Sequence, residues 1–189
     1  MPYFATSRGS LRRSLWVAVA ILVALPAPAQ APIPLEHQIK ATFLYTIAKF
    51  IQCPPEKLEG NGLIGIGVFG KDKFGGALER QVQGKSVEGR GIVVRRLTGI
   101  EQAPVQHILF IGASEKRRLG AILGSLTAGG VLTVGDIDRF AEQGGMVNLV
   151  MKGNSVSLEI NTGAAERGQI KISSKLLKLA RVVADRGRH

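Results

Sequence analysis

The sequence is poor in cysteine, since Cys53 is the only one among 189 residues. A chain with one thiol cannot close an internal disulfide, so the disulfide-stapled class of small exported domains is excluded. Stability must then come from core packing. Cys53 ends a helical pattern and precedes Pro54 and Pro55, which leaves two interpretations open. It is either a redox or intermolecular thiol, or a small apolar residue packed beneath a turn.

The longest apolar run of the sequence is short, which favours a cleaved leader over a transmembrane anchor, the alternative interpretation. The apolar stretch at residues 15–25 has only 11 residues, whereas a transmembrane helix needs about 20. Three arginines precede this stretch and a small-residue triplet follows it, namely Arg8, Arg12, Arg13 and Ala27-Pro28-Ala29. This pattern predicts a cleavable secretory signal peptide over residues 1–29, and hence an exported protein with one domain over residues 30–189. Export by the twin-arginine route stays open as an alternative.

Acidic residues are scarce: 14 stand against 25 basic ones, a formal net charge of +11. Removal of the predicted leader with its three arginines leaves 22 basic and 14 acidic residues, a formal charge of +8. An exported chain meets little nucleic acid, so no nucleic-acid partner is expected. The excess charge instead indicates anionic partners in the cell envelope. These are lipid head groups, cell-wall polymers, or an acidic face of an outer-membrane or cell-wall-associated protein.

Helical and strand patterns alternate along the exported part without a linker or a repeat. Apolar residues recur every three or four positions between residues 35 and 52, which predicts an amphipathic first helix; they are Ile39, Phe43, Ile47, Phe50 and Ile51. Strand patterns follow at residues 63–69, 92–97, 108–111 and 131–134. Helical patterns lie between them, at residues 74–82 and 114–126. Strands separated by helices imply right-handed crossovers and a mainly parallel sheet.

Residues 144–180 hold a strand, a tight turn, a strand, a helix cap and a helix in one run. The hairpin is predicted around Lys152-Gly153-Asn154. Asn161 or Thr162 can cap a short helix that follows it. Ser173 or Ser174 begins the last predicted helix, with a buried stripe of Leu176, Leu177, Ala180 and Val183. The predicted fold is α/β: a three-layer sandwich with a mainly parallel central sheet, helices on both faces and a C-terminal antiparallel hairpin.

No motif assembles a nucleophile, a base and oxyanion donors, so the sequence predicts no catalytic, cofactor or metal site. Residues 65–70 match G-x-G-x-x-G literally, but these glycines lie inside a predicted strand and not in the turn where a pyrophosphate would bind. Asp136 and Asp138 lack a third nearby ligand and are interpreted as a turn and a helix cap. His37 and His107 lie 70 positions apart and are interpreted as structural or surface residues.

Five segments follow one another in a recognisable order: KATFLYTIAKFIQCP (40–54), GVFGKDKFGGAL (67–78), HILFIGASE (107–115), GGVLTVGDIDRFAEQGGMVNLV (129–150) and SLEINTGAAERGQIKISSKLLKLA (157–180). Together they resemble the YfiR family of periplasmic proteins. The resemblance implies an exported α/β protein, often dimeric, that represses a membrane-bound diguanylate cyclase by binding its periplasmic sensor domain. It also implies that release of the cyclase raises cyclic di-GMP and favours biofilm formation.

The chain departs from the family pattern in two places. Family members commonly have a tryptophan before the proline that ends the first helix, where this chain has Cys53. The paired cysteines that the family links to redox control are absent as well. If this protein switches, an internal disulfide is therefore not the switch.

Two groups of residues are candidates for partner binding. Basic residues recur every three or four positions through the last segment and predict a basic stripe on the outer face of the last helix; they are Lys171, Lys175, Lys178 and Arg181. The alternative is a solvated face over a buried stripe of leucines. Glu159 and Asn161 close a strand just before a helix, so they are candidate partner contacts, with helix capping as the alternative role of Asn161.

We interpret the chain as a non-enzymatic periplasmic regulator that needs no cofactor, forms a homodimer and represses a diguanylate cyclase. An alternative is a periplasmic protein that binds a small anion or a cell-wall fragment in a crevice at the carboxyl ends of the parallel strands. A third hypothesis is an exported enzyme.

Overall fold

A computed structural model of the protein describes Met1 and residues 33–58, 62–126 and 129–184. The predicted signal peptide lies outside the described residues. The helices are α1 Leu35–Ala48, α2 Pro55–Leu58, α3 Ala77–Val82, α4 Leu119–Ser125, α5 Thr162–Arg167 and α6 Ser174–Leu177, with 3₁₀ segments at Ile100–Val105 and Ala113–Arg118. The strands are β1 Ile51–Gln52, β2 Leu63–Phe69, β3 Ser86–Val87, β4 Arg90–Leu97, β5 Ile108–Ile111, β6 Leu132–Gly135, β7 Val147–Lys152, β8 Ser155–Asn161, β9 Lys171–Ile172 and β10 Ala180–Val183.

The central sheet has the strand order β10-β8-β7-β6-β5-β2-β4-β3. The five strands from β4 to β7 in this order are parallel to one another. β7 and β8 form an antiparallel hairpin, and β10 returns beside β8 in parallel. A separate two-stranded ribbon pairs β1 with β9. The predicted mainly parallel sheet with a C-terminal antiparallel hairpin is confirmed.

Successive residues of the central strands pack into two different apolar clusters. In β5, Ile108 and Phe110 join a cluster with buried residues of α1, α3 and α5. Leu109 and Ile111 join a second cluster with α4 and the 3₁₀ segment Ile100–Val105. Because side chains alternate between the two faces of a strand, the helices lie on both faces of the sheet. The predicted three-layer sandwich is confirmed, and it explains why residues 108–111 are apolar throughout.

Two of the three glycines of the G-x-G-x-x-G match, Gly65 and Gly67, lie inside β2 as predicted and allow close packing there, whereas Gly70 follows the strand. A Cβ atom at Gly65 would lie 2.6 Å from Gln106 Oε1, and one at Gly67 would lie 2.9 Å from Gln106 Cγ. A larger residue at either position would collide with the connection that leads into β5. The two glycines therefore serve the packing of the sheet.

The first helix differs from its prediction in length and in orientation. α1 ends at Ala48, and the next residues leave the helix to pair with β9, where the Ser173 N–H donates to Phe50 O at 2.8 Å. The buried face is formed by Lys40, Ala41, Leu44, Ile47 and Ala48. Ile39 and Phe43 of the predicted stripe are only half-buried. The buried face of the helix is therefore rotated from the predicted one. The prediction considered apolar residues alone and so left out the lysine that belongs to the buried face.

The last helix is a single turn, so the long amphipathic helix predicted there is wrong. α6 ends at Leu177, and Ala180–Val183 continues as β10. Val182 and Val183 favour a strand, because a β-branched side chain is restricted in a helix. The parallel ladder to β8 then supplies the backbone hydrogen bonds that a helix would have made.

Candidate functional site

Charged side chains converge just beyond the carboxyl end of β6. Asp136 follows the last residue of that strand, and its Oδ2 lies 2.8 Å from Lys40 Nζ of α1. Lys40 is only 4% exposed and also donates to Glu36. Burial disfavours the ammonium charge, but the hydrogen bonds to Asp136 and Glu36 outweigh it, so the pKa of Lys40 is raised. The hydrogen bond from Lys40 in turn lowers the pKa of Glu36.

The turn after Asp136 presents polar residues because its apolar ones are anchored in the core. Ile137 and Phe140 are buried in the cluster beneath α4. Phe140 fits there because the preceding strand ends in Gly135, where a Cβ atom would lie 2.5 Å from the ring. Arg139 adopts a φ of 57°, a conformation that costs about 1 kcal/mol or more in a residue other than glycine. Its Nε lies 2.9 Å from Glu142 Oε2.

A row of in-register residues extends from this turn across the sheet. Gly135 in β6 pairs with Asn148 in β7, Asn148 with Glu159 in β8, and Glu159 with Arg181 in β10. The Asn148 amide donates to Glu159 Oε2 at 3.2 Å, and Arg181 donates to Glu159 Oε1. The ion pair with Glu159 raises the pKa of Arg181. The strand register therefore brings together Glu159 and Arg181, two residues singled out in the sequence.

These groups line one crevice of about 360 Å³, which we call the polar crevice. Its carboxylates are Glu36, Asp136, Asp138, Glu142 and Glu159. Its cations are Lys40, Arg139 and Arg181. Five carboxylates against three cations make the lining acidic in a protein that is basic as a whole. A crevice at the end of a parallel strand was expected for the small-anion alternative, but this lining does not favour an anion.

Two oxygen atoms of the polar crevice have no hydrogen-bond partner. They are Asp136 Oδ1 and Asn148 Oδ1, and among the described residues they are the buried side-chain polar atoms left in this state. Asn148 is 2% exposed and the Asp136 side chain 6%. Buried polar atoms are paired in the great majority of cases, and an exception costs about 1–3 kcal/mol. Both oxygens can accept hydrogen bonds and neither can donate one.

The four basic residues predicted to share a helix lie on three elements and the turn between two of them. Lys171 is in β9, Lys175 in α6, Lys178 just after α6 and Arg181 in β10. All four are exposed, but the predicted helical stripe is wrong because the segment leaves the helix after one turn. Lys178 and Arg181 each precede an exposed apolar residue in the sequence, Leu179 and Val182 respectively.

We call Lys178, Leu179, Arg181 and Val182 the C-terminal edge. Leu179 is 74% exposed, and β10 is the outermost strand at this side of the described sheet. Exposed apolar side chains beside cations on an outer strand are features of a surface that can bind another protein.

Asn161 is not open to a partner. Its amide donates to Ala141 O at 2.8 Å, and its Oδ1 accepts from the Ala164 N–H at 2.9 Å, which caps α5. The alternative role given to Asn161, helix capping, is the one observed. Glu159 differs, because its carboxylate lines the polar crevice and is partly exposed.

A family model described as YfiR/HmsC-like matches residues 37–181. The chain belongs to this family. YfiR-like proteins are periplasmic regulators of diguanylate cyclase signalling and are regulatory rather than catalytic. No curated protein matches the sequence. In the described ranges, no helix reaches the length and apolarity that a membrane span requires.

Two solved structures share the fold of this YfiR-like chain. One is the ABC domain in complex with L-Trp from Streptococcus pneumonia, with a TM-score of 0.50, 11% identity, and coverage of 78% of this chain and 60% of that one. The other is a conserved domain protein from Vibrio cholerae O1 biovar El Tor, with a TM-score of 0.51, 12% identity, and coverage of 79% and 60%. The chain spans about 60% of the length of each. At these identities the likeness shows the fold alone.

Cys53 directly follows β1, is half-buried and packs against the apolar cluster that contains Ile108 and Phe110. Burial raises the pKa of its thiol to about 11. The thiolate is the reactive form, so little of it is present at neutral pH. The redox or intermolecular role of Cys53 stays a prediction, and its surroundings favour the packing role.

Sequence reasoning missed Lys40 and Asn148 as site residues of this YfiR-like chain. Lys40, Leu44, Ile47 and Ala48 have the spacing of one helix face, so a lysine on that face was a signal that a buried carboxylate faces it. Asn148 interrupts the apolar run of β7, which is a similar signal. In the described ranges, no group of three or more His, Cys, Asp or Glu residues is placed to hold a metal ion.

Proposed function

We propose that the chain is exported, loses residues 1–29 and represses an inner-membrane diguanylate cyclase by binding the periplasmic sensor domain of that enzyme. Repression lowers cyclic di-GMP and biofilm formation. The regulator acts as a homodimer and needs no cofactor. The proposal is supported by the family of the chain, whose members regulate this signalling system in the periplasm.

The observation that best supports a binding role is the C-terminal edge. Leu179 and Val182 are 74% and 55% exposed, and burying such a side chain against a partner is worth about 1.5–3 kcal/mol. The outward backbone groups of an outermost strand can also pair with a strand of another protein. We therefore propose the C-terminal edge as the surface that contacts the cyclase.

The charge of the protein supports fast and oriented encounter with an acidic partner. Lys178 and Arg181 lie on either side of Leu179 and are exposed. Exposed charges mainly raise the association rate and fix orientation, whereas the apolar contact holds the complex. Repression then follows as a population shift, because the regulator binds the inactive arrangement of the cyclase more tightly than the active one.

The test combines capture of the partner with a cellular readout. The mature protein is used to recover membrane proteins from envelope extract, and cyclic di-GMP is measured in cells that express each variant. We expect Leu179→Asp and Val182→Asp to lose the cyclase and to raise cyclic di-GMP at unchanged protein level. The matched control is Val105→Asp, since Val105 is 71% exposed and lies on the 3₁₀ segment between β4 and β5.

Two results would contradict the proposal at different levels. Recovery of no membrane cyclase by the wild-type protein would remove the proposed function. Recovery of the cyclase by the Leu179 and Val182 variants, with normal repression, would keep the function and remove the C-terminal edge as its surface.

A further inference from the structure

The polar crevice combines an acidic lining with two buried acceptors that have no partner. The Asn148 amide already donates to Glu159, and Asp136 Oδ2 already accepts from Lys40, so only Asp136 Oδ1 and Asn148 Oδ1 are left over. The larger open grooves beside β1 and β9 contain neither of these atoms. Within the described residues, the buried acceptors that lack a hydrogen-bond donor therefore lie in this crevice.

The missing donor should be positively charged but need not be a metal ion. The lining holds two more carboxylates than cations, which attracts positive charge. However, Lys40 already neutralises the Asp136 carboxylate at 2.8 Å, and a hard divalent metal ion prefers several oxygen ligands that include free carboxylates. A primary ammonium group has three donors on one charge, so it can supply hydrogen bonds to both oxygens.

We propose that the polar crevice binds a small organic cation through a primary ammonium group that donates hydrogen bonds to Asp136 Oδ1 and Asn148 Oδ1. The volume of about 360 Å³ is in the range of small-molecule sites. Leu149, Val150 and Met151 also line the crevice and offer contact to an aliphatic chain. Both oxygens are covered in the structure, so a side chain at the rim of the crevice has to move when the ligand binds.

This inference goes beyond cyclase repression and does not rest on it, because binding is measured on the purified mature protein alone. The probe is 1,4-diaminobutane, a dication that matches the excess of two carboxylates. The control ligand is its bis-quaternary analogue, in which each nitrogen carries three methyl groups. It has the same charge and a similar chain, but it cannot donate a hydrogen bond.

Titration calorimetry gives the Kd, and scanning calorimetry gives the effect on Tm. At a diamine concentration about fivefold above Kd, ligand linkage predicts a rise in Tm of about 2–4 °C for a domain of this size. The quaternary analogue should give less than a third of that shift at the same concentration and ionic strength. Sodium phosphate and calcium chloride are the other two arms, and neither should bind saturably.

Variants locate the site. Asn148→Leu should weaken diamine binding about tenfold, the cost of one lost hydrogen bond to a charged group. Glu159→Gln should weaken it by a smaller factor, because it removes one of the carboxylates whose charge attracts the ligand. Glu166→Gln is the matched control, because Glu166 is exposed on α5 and does not line the crevice. Asn148→Leu removes the unpartnered oxygen without removing a charge, so its effect cannot come from the net charge of the protein.

Several outcomes would overturn the proposal. One is the absence of saturable diamine binding to a folded wild-type protein. Another is an equal Tm shift with the quaternary analogue, which would reduce the effect to charge screening. Saturable binding of calcium or phosphate in place of the diamine, or unchanged diamine affinity in Asn148→Leu, would do the same.

Discussion

Two buried polar clusters lie at opposite ends of the parallel strands, and they differ in how completely they are paired. At the amino end of β5, His107 Nδ1 accepts from the Gly65 N–H at 3.0 Å and Nε2 lies 2.8 Å from Lys57 O. At the carboxyl end of β6, the polar crevice leaves Asp136 Oδ1 and Asn148 Oδ1 without partners. Both clusters are buried, but only in the His107 cluster are both ring nitrogens paired with a hydrogen-bond partner.

The difference separates a structural role from a binding role. A fully paired buried network fixes the fold and gains nothing from a ligand. A network with unpaired acceptors lowers the stability of the fold, and in native proteins such a loss is found mainly at functional sites. The following experiments test this contrast by changing one cluster at a time.

The largest effect is expected from Lys40→Met. Removing the buried ammonium leaves the Asp136 carboxylate buried without its cation, and breaking a buried ion pair costs about 3–5 kcal/mol. We expect the free energy of unfolding to fall by this amount in urea denaturation. The matched control is Lys116→Met, because Lys116 is exposed.

The double variant Lys40→Met/Asp136→Leu tests the cause of that loss. Replacing both partners by apolar residues of similar size is often close to neutral, so the double variant should recover most of the stability. A double variant as unstable as Lys40→Met would show that packing of the lysine, and not the stranded charge, was responsible.

Mutation of the His107 cluster should reduce the free energy of unfolding by less, because only hydrogen bonds are lost there. His107→Leu leaves the Gly65 N–H and the Lys57 carbonyl without a partner, and we expect a loss of about 2 kcal/mol in the free energy of unfolding. His37→Leu is the control, since His37 has no comparable pair of backbone partners. An effect of equal size at both histidines would contradict the proposed role of His107.

A smaller effect is expected from pH. Burial lowers the pKa of His107, so on acidification the unfolded chain takes up a proton near the ordinary value of about 6.5 while the folded ring resists it. Stability should therefore be complete above about pH 6.5 and fall as the pH drops below it. Tm measured between pH 7.5 and 5 should fall less in His107→Gln than in wild type. Parallel curves would exclude His107 as the titrating group.

The smallest effect on stability is expected from Asn148→Leu. The variant loses one hydrogen bond to Glu159 but also removes an unpartnered buried oxygen and adds apolar contact, so the net change should stay within about 1 kcal/mol of zero. Urea denaturation can resolve this. If the free energy of unfolding falls as much as in His107→Leu, Asn148 belongs to a structural network. The proposed difference between the two clusters would then be wrong.

Much of the fold could be predicted because its signals are local. The apolar run of β5, the Gly153 turn of the hairpin and the cap at Asn161 each depend on a few adjacent residues. The end of the chain could not be predicted in this way. A strand and a helix compete for Ala180–Val183, and the outcome depends on pairing with β8, which no local pattern encodes.

The candidate site was less predictable because its residues come from distant parts of the chain. Glu159 and Arg181 were singled out for their positions, but their ion pair follows from strand register. Lys40 and Asp136 are 96 positions apart, and each alone has an ordinary interpretation. The unmet acceptors appear only when burial and hydrogen bonding are known for every neighbour.

The ribbon of β1 and β9 has a consequence for the order of assembly. It joins Ile51 to Ile172, partners 121 positions apart, directly after the first helix. Contacts of such long sequence separation form late because the loop between them must first close. α1 is thus synthesised before the other described helices but is among the last to be locked in place, because the ribbon that anchors its end waits for β9.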